Sequence, residues 1–409
     1  MRKDKITLKI KKSTETRQIL LQSGSLLALS MFGEIFAGLF LSAMREELLL
    51  FPGLIVLYPA ISDLRGDLGT SLGARLSVGL RERRSIPRLI LNNAASVLIL
   101  SFLMSAFIGF ITEISCMFLG LPSIGLVNLT IISLVSAVIA SAFMTFFTVI
   151  VTLASFYHGV DPENIVAPSL ATIGDVVTVI SIFFATRLTA DCFNLCLLLV
   201  EATLLVFCVL FVVSELSTRR NPRNIFMPAR EMPSRIVFES APSIILSAVI
   251  GVISGTTLHM NMEALSLTPT LIALIPLIVA NAGIVGSVLG ARISTSMHLN
   301  IIESWTVIKN AAALFILGST SSFLISLLVY SSLSISAIAV IDLATLLFIV
   351  LRVCLMTSAT MITITTALTL ISFRCGLDPS NIVIPIITSL GDIIGVLFLL
   401  GTASLYGFI

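Results

Sequence analysis

Charge is scarce in this chain. Asp, Glu, Lys and Arg make up 11% of its 409 residues, against 57% hydrophobic residues and a mean hydropathy of +1.10. That is too little polar surface to cover a soluble globule, so lipid must act as the solvent and a water-soluble enzyme is excluded. Histidine is scarce as well. His158, His259 and His298 lie near the ends of apolar runs without metal-ligand spacing and read as interfacial residues. The six cysteines show neither the paired spacing of a zinc site nor a secreted disulfide framework, which leaves small hydrophobic packing as their role. No polar stretch is long enough to fold alone: the longest are residues 1–18 and the basic connector near 217–235.

What is present, again and again, is apolar sequence long enough to cross a hydrocarbon core of about 30 Å. Spans are expected near 19–43, 50–80, 88–111, 128–156 and 164–188, with partners after residue 235. The partners follow from a duplication. DPENIVAPSLATIGD, Asp161 to Asp175, returns as DPSNIVIPIITSLGD, Asp378 to Asp392, and Pro59, Gly66, Gly69, Gly73, Arg75 and Ser77 return 217 residues later as Pro276, Gly283, Gly286, Gly290, Arg292 and Ser294. Two separate blocks sharing one offset argue for duplication rather than chance.

The expected fold is an all-α, polytopic membrane protein of about eleven spans: two parallel, pseudo-twofold-related five-helix repeats joined by a linker transmembrane helix. Its expected segments are a basic tail (1–18), a first repeat (19–190), the linker helix with its basic loop (191–234) and a second repeat (235–409). Lys and Arg concentrate in 1–18, 75–88, 217–235, 292–309 and at Arg374, which an eleven-span count puts on one side of the membrane. The expected location is therefore the cell membrane, with the N-terminus cytoplasmic and the C-terminus extracellular.

Asp175 and Asp392 carry the sharpest chemical signal. Counting from a helix start near Asp161, Asp175 lies about 20 Å along its span, deep in the core. A carboxylate there is costly unless it faces a wet cavity or a partner, and such residues mark ion paths; the alternatives are a neutral carboxyl or a helix-packing hydrogen bond. Oxygen-only ligands suit magnesium, which keeps several waters and takes one or two carboxylates. Asp161 and Asp378, each before a proline, read as helix N-caps, and Pro168 and Pro385 as kinks that free a backbone carbonyl.

The other block interrupts an apolar run with Gly66, Gly69 and Gly73 and with Asp63, Arg65 and Asp67. Those glycines allow close packing or an unwound turn. Asp63 and Asp67 share a helix face, and Arg65, which cannot be unpaired at this depth, has a structural ion pair with either acid as one reading. The second copy keeps its glycines but has Ala280 and Ile284 in place of the acids, leaving Asn281 as its polar side chain there. Arg75 and Arg292 should snorkel to the boundary, while Glu34 in the first span and Asp342 and Arg352 in the fourth span of the second copy have no charged counterpart in the other copy.

At these blocks the sequence resembles the MgtE superfamily, and more closely the solute carrier 41 branch, in which two MgtE-type units are fused. Pro59, Arg65, Gly66, Leu68, Arg75 and Ser77 match that branch's P-x-L-x-G-x-K-G-N-L…A-S-R-L-S-T segment, with Asp67 where Asn is frequent. In the second copy Pro276, Gly283, Arg292, Ile293, Ser294 and Thr295 match, and Ile284 departs from the Asn. The DP-x-NI…P…S-L-G-D helix is the most specific match. The resemblance implies that its last Asp is the central magnesium site, here Asp175 and Asp392. It also implies no inherited gating, because the cytoplasmic regulatory domains of MgtE channels are not expected in these residues.

Together these readings make Mg2+ the expected transported ion, with Asp175 and Asp392 as ligands on a pathway between the repeats. Asp67, Asp63, Asn281, Gly66 and Gly283 are expected to support them. No enzymatic reaction, organic cofactor or nucleic-acid partner is expected; the bilayer and the cation are the partners, and the fused chain should work as a monomer. The rival reading is a secondary transporter of an organic solute that uses the same carboxylates for proton or sodium coupling.

Overall fold

The computed structural model describes residue 28 and residues 30–81, 85–158, 162–219, 233–298, 304–336, 341–374 and 379–408. They form helices and no strand. In chain order these are α1 (Ser30–Ala43), α2 (Arg45–Leu50), α3 (Leu54–Arg81), α4 (Ile86–Leu119), α5 (Leu126–Tyr157), α6 (Pro162–Asp191) and α7 (Phe193–Arg219). Then follow α8 (Pro233–Met260), α9 (Met262–Leu267), α10 (Pro269–His298), α11 (Ser304–Ile335), α12 (Leu343–Arg374) and α13 (Pro379–Leu405).

Nine of the described helices are long and apolar enough to cross a membrane. The chain is a multi-pass, all-α membrane protein. About eleven spans were expected; α1, short over its described length, and α3, which carries Asp63, Arg65 and Asp67, are not among the nine. The basic tail, the loop of 220–232, Asp161, Asp378 and Cys375 lie outside the described residues, as do the side chains of Pro168 and Pro385.

Helix boundaries repeat with the sequence. Arg45 and Met262, Leu126 and Leu343, and Pro162 and Pro379 open α2 and α9, α5 and α12, and α6 and α13, each pair 217 residues apart. Chemistry fixes many of these ends. Gly120 closes α4 in the left-handed conformation, its N–H and that of Leu121 capping the carbonyls of Met117 and Cys116, and Pro122 follows.

Packing divides the chain differently from the repeat. Met44–Met260 forms one compact unit, and the residues up to Ala43 together with Asn261–Ile409 form the other. The first helix of each copy thus packs with the other copy's remaining helices. In the α3 unit (Met44–Met260), α8 lies so close to α3 that a Cβ on Gly255 would stand 2.4 Å from the Val56 carbonyl oxygen. In the α10 unit, a Cβ on Gly38 of α1 would stand 2.2 Å from the carbonyl oxygen of Ala273 in α10. Gly38 and Gly255, like Val56 and Ala273, occupy equivalent positions, so one backbone-to-backbone contact is built twice. Ser42 adds a hydrogen bond to the Pro269 carbonyl at 3.2 Å.

Candidate functional site

In the α3 unit, α3 and α6 run antiparallel: Gly69 faces Leu170, and seven residues earlier on α3, Ser62 reaches Asp175, five residues later on α6. Asp175 sits in mid-helix, partly buried, and accepts a short hydrogen bond from the Ser62 hydroxyl. The carboxylate is therefore held by α3 rather than turned to lipid.

Arg65 does not pair with Asp63 or Asp67. Residues two apart on a helix point to nearly opposite sides, so those acids are the two it is least able to reach. Its guanidinium, 2% exposed, donates instead to Thr178 of α6 and Ser136 of α5, each at 3.3 Å. Asp63 and Asp67 occupy another face, where Ser247 of α8 donates to Asp63 at 3.4 Å. One carboxylate oxygen of Asp67 is buried without a hydrogen-bond partner among the described residues. So α3 presents two polar faces: Ser62 and Arg65 toward α5 and α6, Asp63 and Asp67 toward α8.

In the α10 unit, Asp392 is 6% exposed on α13. Just before it, a Cβ on Gly391 would come 3.0 Å from the backbone nitrogen of Gly283. Two glycines thus let α10 and α13 touch through their backbones, and Asp392 is fixed beside that contact. Asn281 belongs to another face: its amide nitrogen donates to the Gly318 carbonyl at 3.3 Å and its oxygen accepts from Ser321 at 2.9 Å, tying α10 to α11.

Gly66 and Gly283 share an open setting, since a Cβ on either would meet nothing within 4 Å. Both lie within continuous helices, so neither marks an unwound turn. The Gly66 carbonyl also accepts the Thr70 hydroxyl at 2.8 Å. Gly286, by contrast, is tightly packed, with Ile387 2.3 Å from its would-be Cβ.

Other expectations resolve plainly. Asp342 is not inside a span but caps the start of α12, accepting the Thr345 N–H at 2.9 Å. Glu34 is 1% exposed within the α10 unit. The His259 ring nitrogen Nε2 shares a 2.9 Å hydrogen bond with the Pro122 carbonyl, a structural tie. Arg75 lies within 3.4 Å of Ser240 on α8. A cavity of about 160 Å³ in the α3 unit, bordered by Phe51, Asn128 and Thr189, is distant from Asp175: Thr189 is fourteen residues farther along α6, about 21 Å.

Sequence reasoning passed over Ser62, Ser136, Thr178 and Ser247. A signal was available in the duplication, because Ser62, Ser136 and Thr178 become Val279, Val353 and Gly395 in the second copy. It also passed over the Glu47–Arg187 ion pair that ties α2 to α6.

A duplicated helical membrane protein with one carboxylate fixed inside each copy is of the kind that handles ions. A family model, MgtE, described as a divalent cation transporter, matches residues 58–185 and 275–402. Both ends of the two matches differ by 217, so each copy is matched in the same register, and the chain belongs to this transporter family. It is 24% identical over 402 residues to solute carrier family 41 member 2 of Mus musculus, covering 89% of this chain and 66% of that protein. The proteins of the same name from Gallus gallus and Homo sapiens are each 24% identical, over 292 and 288 residues, covering 66% of this chain and 47% of theirs. The chain thus spans about half to two thirds of the length of these curated relatives. No solved structure matches it.

Proposed function

We propose that this protein carries a divalent cation, magnesium, across the cell membrane, with Asp175 as a ligand in the α3 unit and Asp392 as a ligand in the α10 unit. The observation that carries this reading is the survival of one acid at one register. Asp175 and Asp392 are kept in mid-helix in both copies while their neighbours on α3 and α10 change from polar to apolar. An ionised carboxylate at such depth costs about 3 kcal/mol on insertion scales, which a passing cation offsets. Magnesium fits because it accepts one or two carboxylates and fills its remaining positions with water. The open space beside Gly66 and Gly283 leaves room for such waters, and Asp63 and Asp67 supply further oxygen atoms on the next face of α3.

The N-terminus is cytoplasmic and the C-terminus extracellular, following the basic segments. The chain works as a monomer and needs no organic cofactor. The test is Mg2+ flux into liposomes holding the full chain, with the variant Asp175→Asn/Asp392→Asn. Flux should fall to the protein-free level while insertion is unchanged; full flux in the double variant rejects the site. Thermal stabilisation by Mg2+ but not by monovalent ions or organic solutes separates this reading from a solute carrier.

A further inference from the structure

Arg65 has no role in the function just described, yet it is the most conspicuous charge inside the membrane part of the α3 unit. Its side chain is 2% exposed, and both its hydrogen bonds go to neutral hydroxyls rather than to an acid. Its Nε has no hydrogen-bond partner among the described residues.

The antiparallel register shows where that charge lies. Gly69 opposite Leu170 and Ser62 opposite Asp175 put the Arg65 backbone level with residues near 173 on α6. Its tip nevertheless reaches Thr178. The side chain leans toward the start of α3, as helical side chains do, and runs along α6 past Gly174 and Asp175.

The second copy shows that the packing does not require this device. At the positions of Arg65, Ser136 and Thr178 it has Ala282, Val353 and Gly395, and Ala282 and Val353 are fully buried. These three positions therefore pack without the guanidinium and the hydroxyl pair.

We propose that Arg65 is a tethered counter-ion of the cation site in the α3 unit, lying beside Asp175 and weakening its hold on a divalent ion so that the ion is released. This deepens the proposed function and rests on Asp175 being a ligand there. Like charges a few ångströms apart in a medium of low dielectric repel strongly, so the arriving ion must displace the influence of a cation that never leaves. Arg65 is a positioning residue, acting through Asp175. The α10 unit lacks it and should hold its ion more tightly.

The test reads the Mg2+ concentration giving half-maximal thermal stabilisation of the full chain, together with liposome flux at saturating Mg2+. R65Q should lower that concentration about tenfold, a change of about 1.4 kcal/mol, and should slow saturated flux. R65K, which keeps the charge, should keep the wild-type midpoint. Arg65→Ala/Ser136→Val/Thr178→Gly, which copies the second repeat, should behave as R65Q does and supplies the answer if R65Q is not recovered folded. An unchanged or raised midpoint in the neutral variants overturns the proposal. D175N separates this from failure of the parent reading: if it leaves the Mg2+-dependent stabilisation intact, Asp175 is not a ligand, whatever Arg65 does.

Discussion

The two units answer the same problem, a carboxylate inside a membrane, with different surroundings. In the α3 unit the acid has polar company from α3: Ser62 donates to Asp175, Arg65 reaches Thr178 on the same helix as the acid, and Asp63 and Asp67 line the next face of α3. In the α10 unit the equivalent positions are Val279, Ala282, Ala280 and Ile284, and Asp392 directly follows Gly391 where it meets the Gly283 backbone. After duplication the acid and its neighbouring glycines were kept in both copies, while these polar side chains of α3 have no counterpart on α10. One acid thus sits in two different environments.

The largest effect that would break this comparison is a difference between the single variants. In the α10 unit no other acid stands at the Asp63 or Asp67 positions, so D392N should abolish saturated Mg2+ flux, a loss of about a hundredfold or more. D175N leaves Asp63 and Asp67 in its unit and should cost about tenfold. Equal losses in liposome flux would mean that the polar surroundings of the α3 unit contribute nothing to holding the ion.

Packing supplies the next test. G391A places a methyl group 3.0 Å from the Gly283 backbone, and backbone cannot rotate aside, so stability should fall by about 1–3 kcal/mol. Gly174 is the equivalent glycine in the α3 unit, and a Cβ there meets only the flexible end of Met144 at 3.5 Å. G174A should range from neutral to a gain of about 1 kcal/mol, since alanine is the better helix former. Thermal unfolding in detergent measures both; a G391A as harmless as G174A would show that the two helix pairs are packed alike.

Much of this architecture was legible because membrane spans are long and the repeat is nearly constant. Hydropathy found the helices that became α4 to α7, and the offset of 217 residues placed their counterparts. Asp175 and Asp392 stood out because charge is costly at their depth. What was not legible depends on partners distant in sequence. Nothing in the hydropathy of α1 or α8 says which copy it packs against; only Gly38 and Gly255 hint at a close backbone approach. Arg65 was expected beside Asp63 or Asp67 because they are its neighbours in sequence, but a helix turns them to the other side, and its true partners lie on α5 and α6. Asp342 was misread as intramembrane because an apolar run blurs the helix start by a residue or two.

The smallest expected effect lies where α5 and α12 begin. Gly125 and Asp342 hold the same register, yet α5 starts at Gly125 with φ +89° and no side-chain cap, whereas Asp342 caps α12 through the Thr345 N–H. That backbone hydrogen bond holds the Asp342 carboxyl below its ordinary pKa. A folded-state pKa below the unfolded one means that the cap stabilises the protein above the usual carboxylate value, about 4, and that the benefit is lost as pH falls through the depressed value. D342A should therefore lower Tm slightly at pH 7, and the gap from the wild type should close in acid. Gly125→Asp should not transfer the cap, because a left-handed φ favours glycine and strains the new side chain. It should lower Tm at every pH, and a gain in Tm at neutral pH would show that the two helix starts are interchangeable after all.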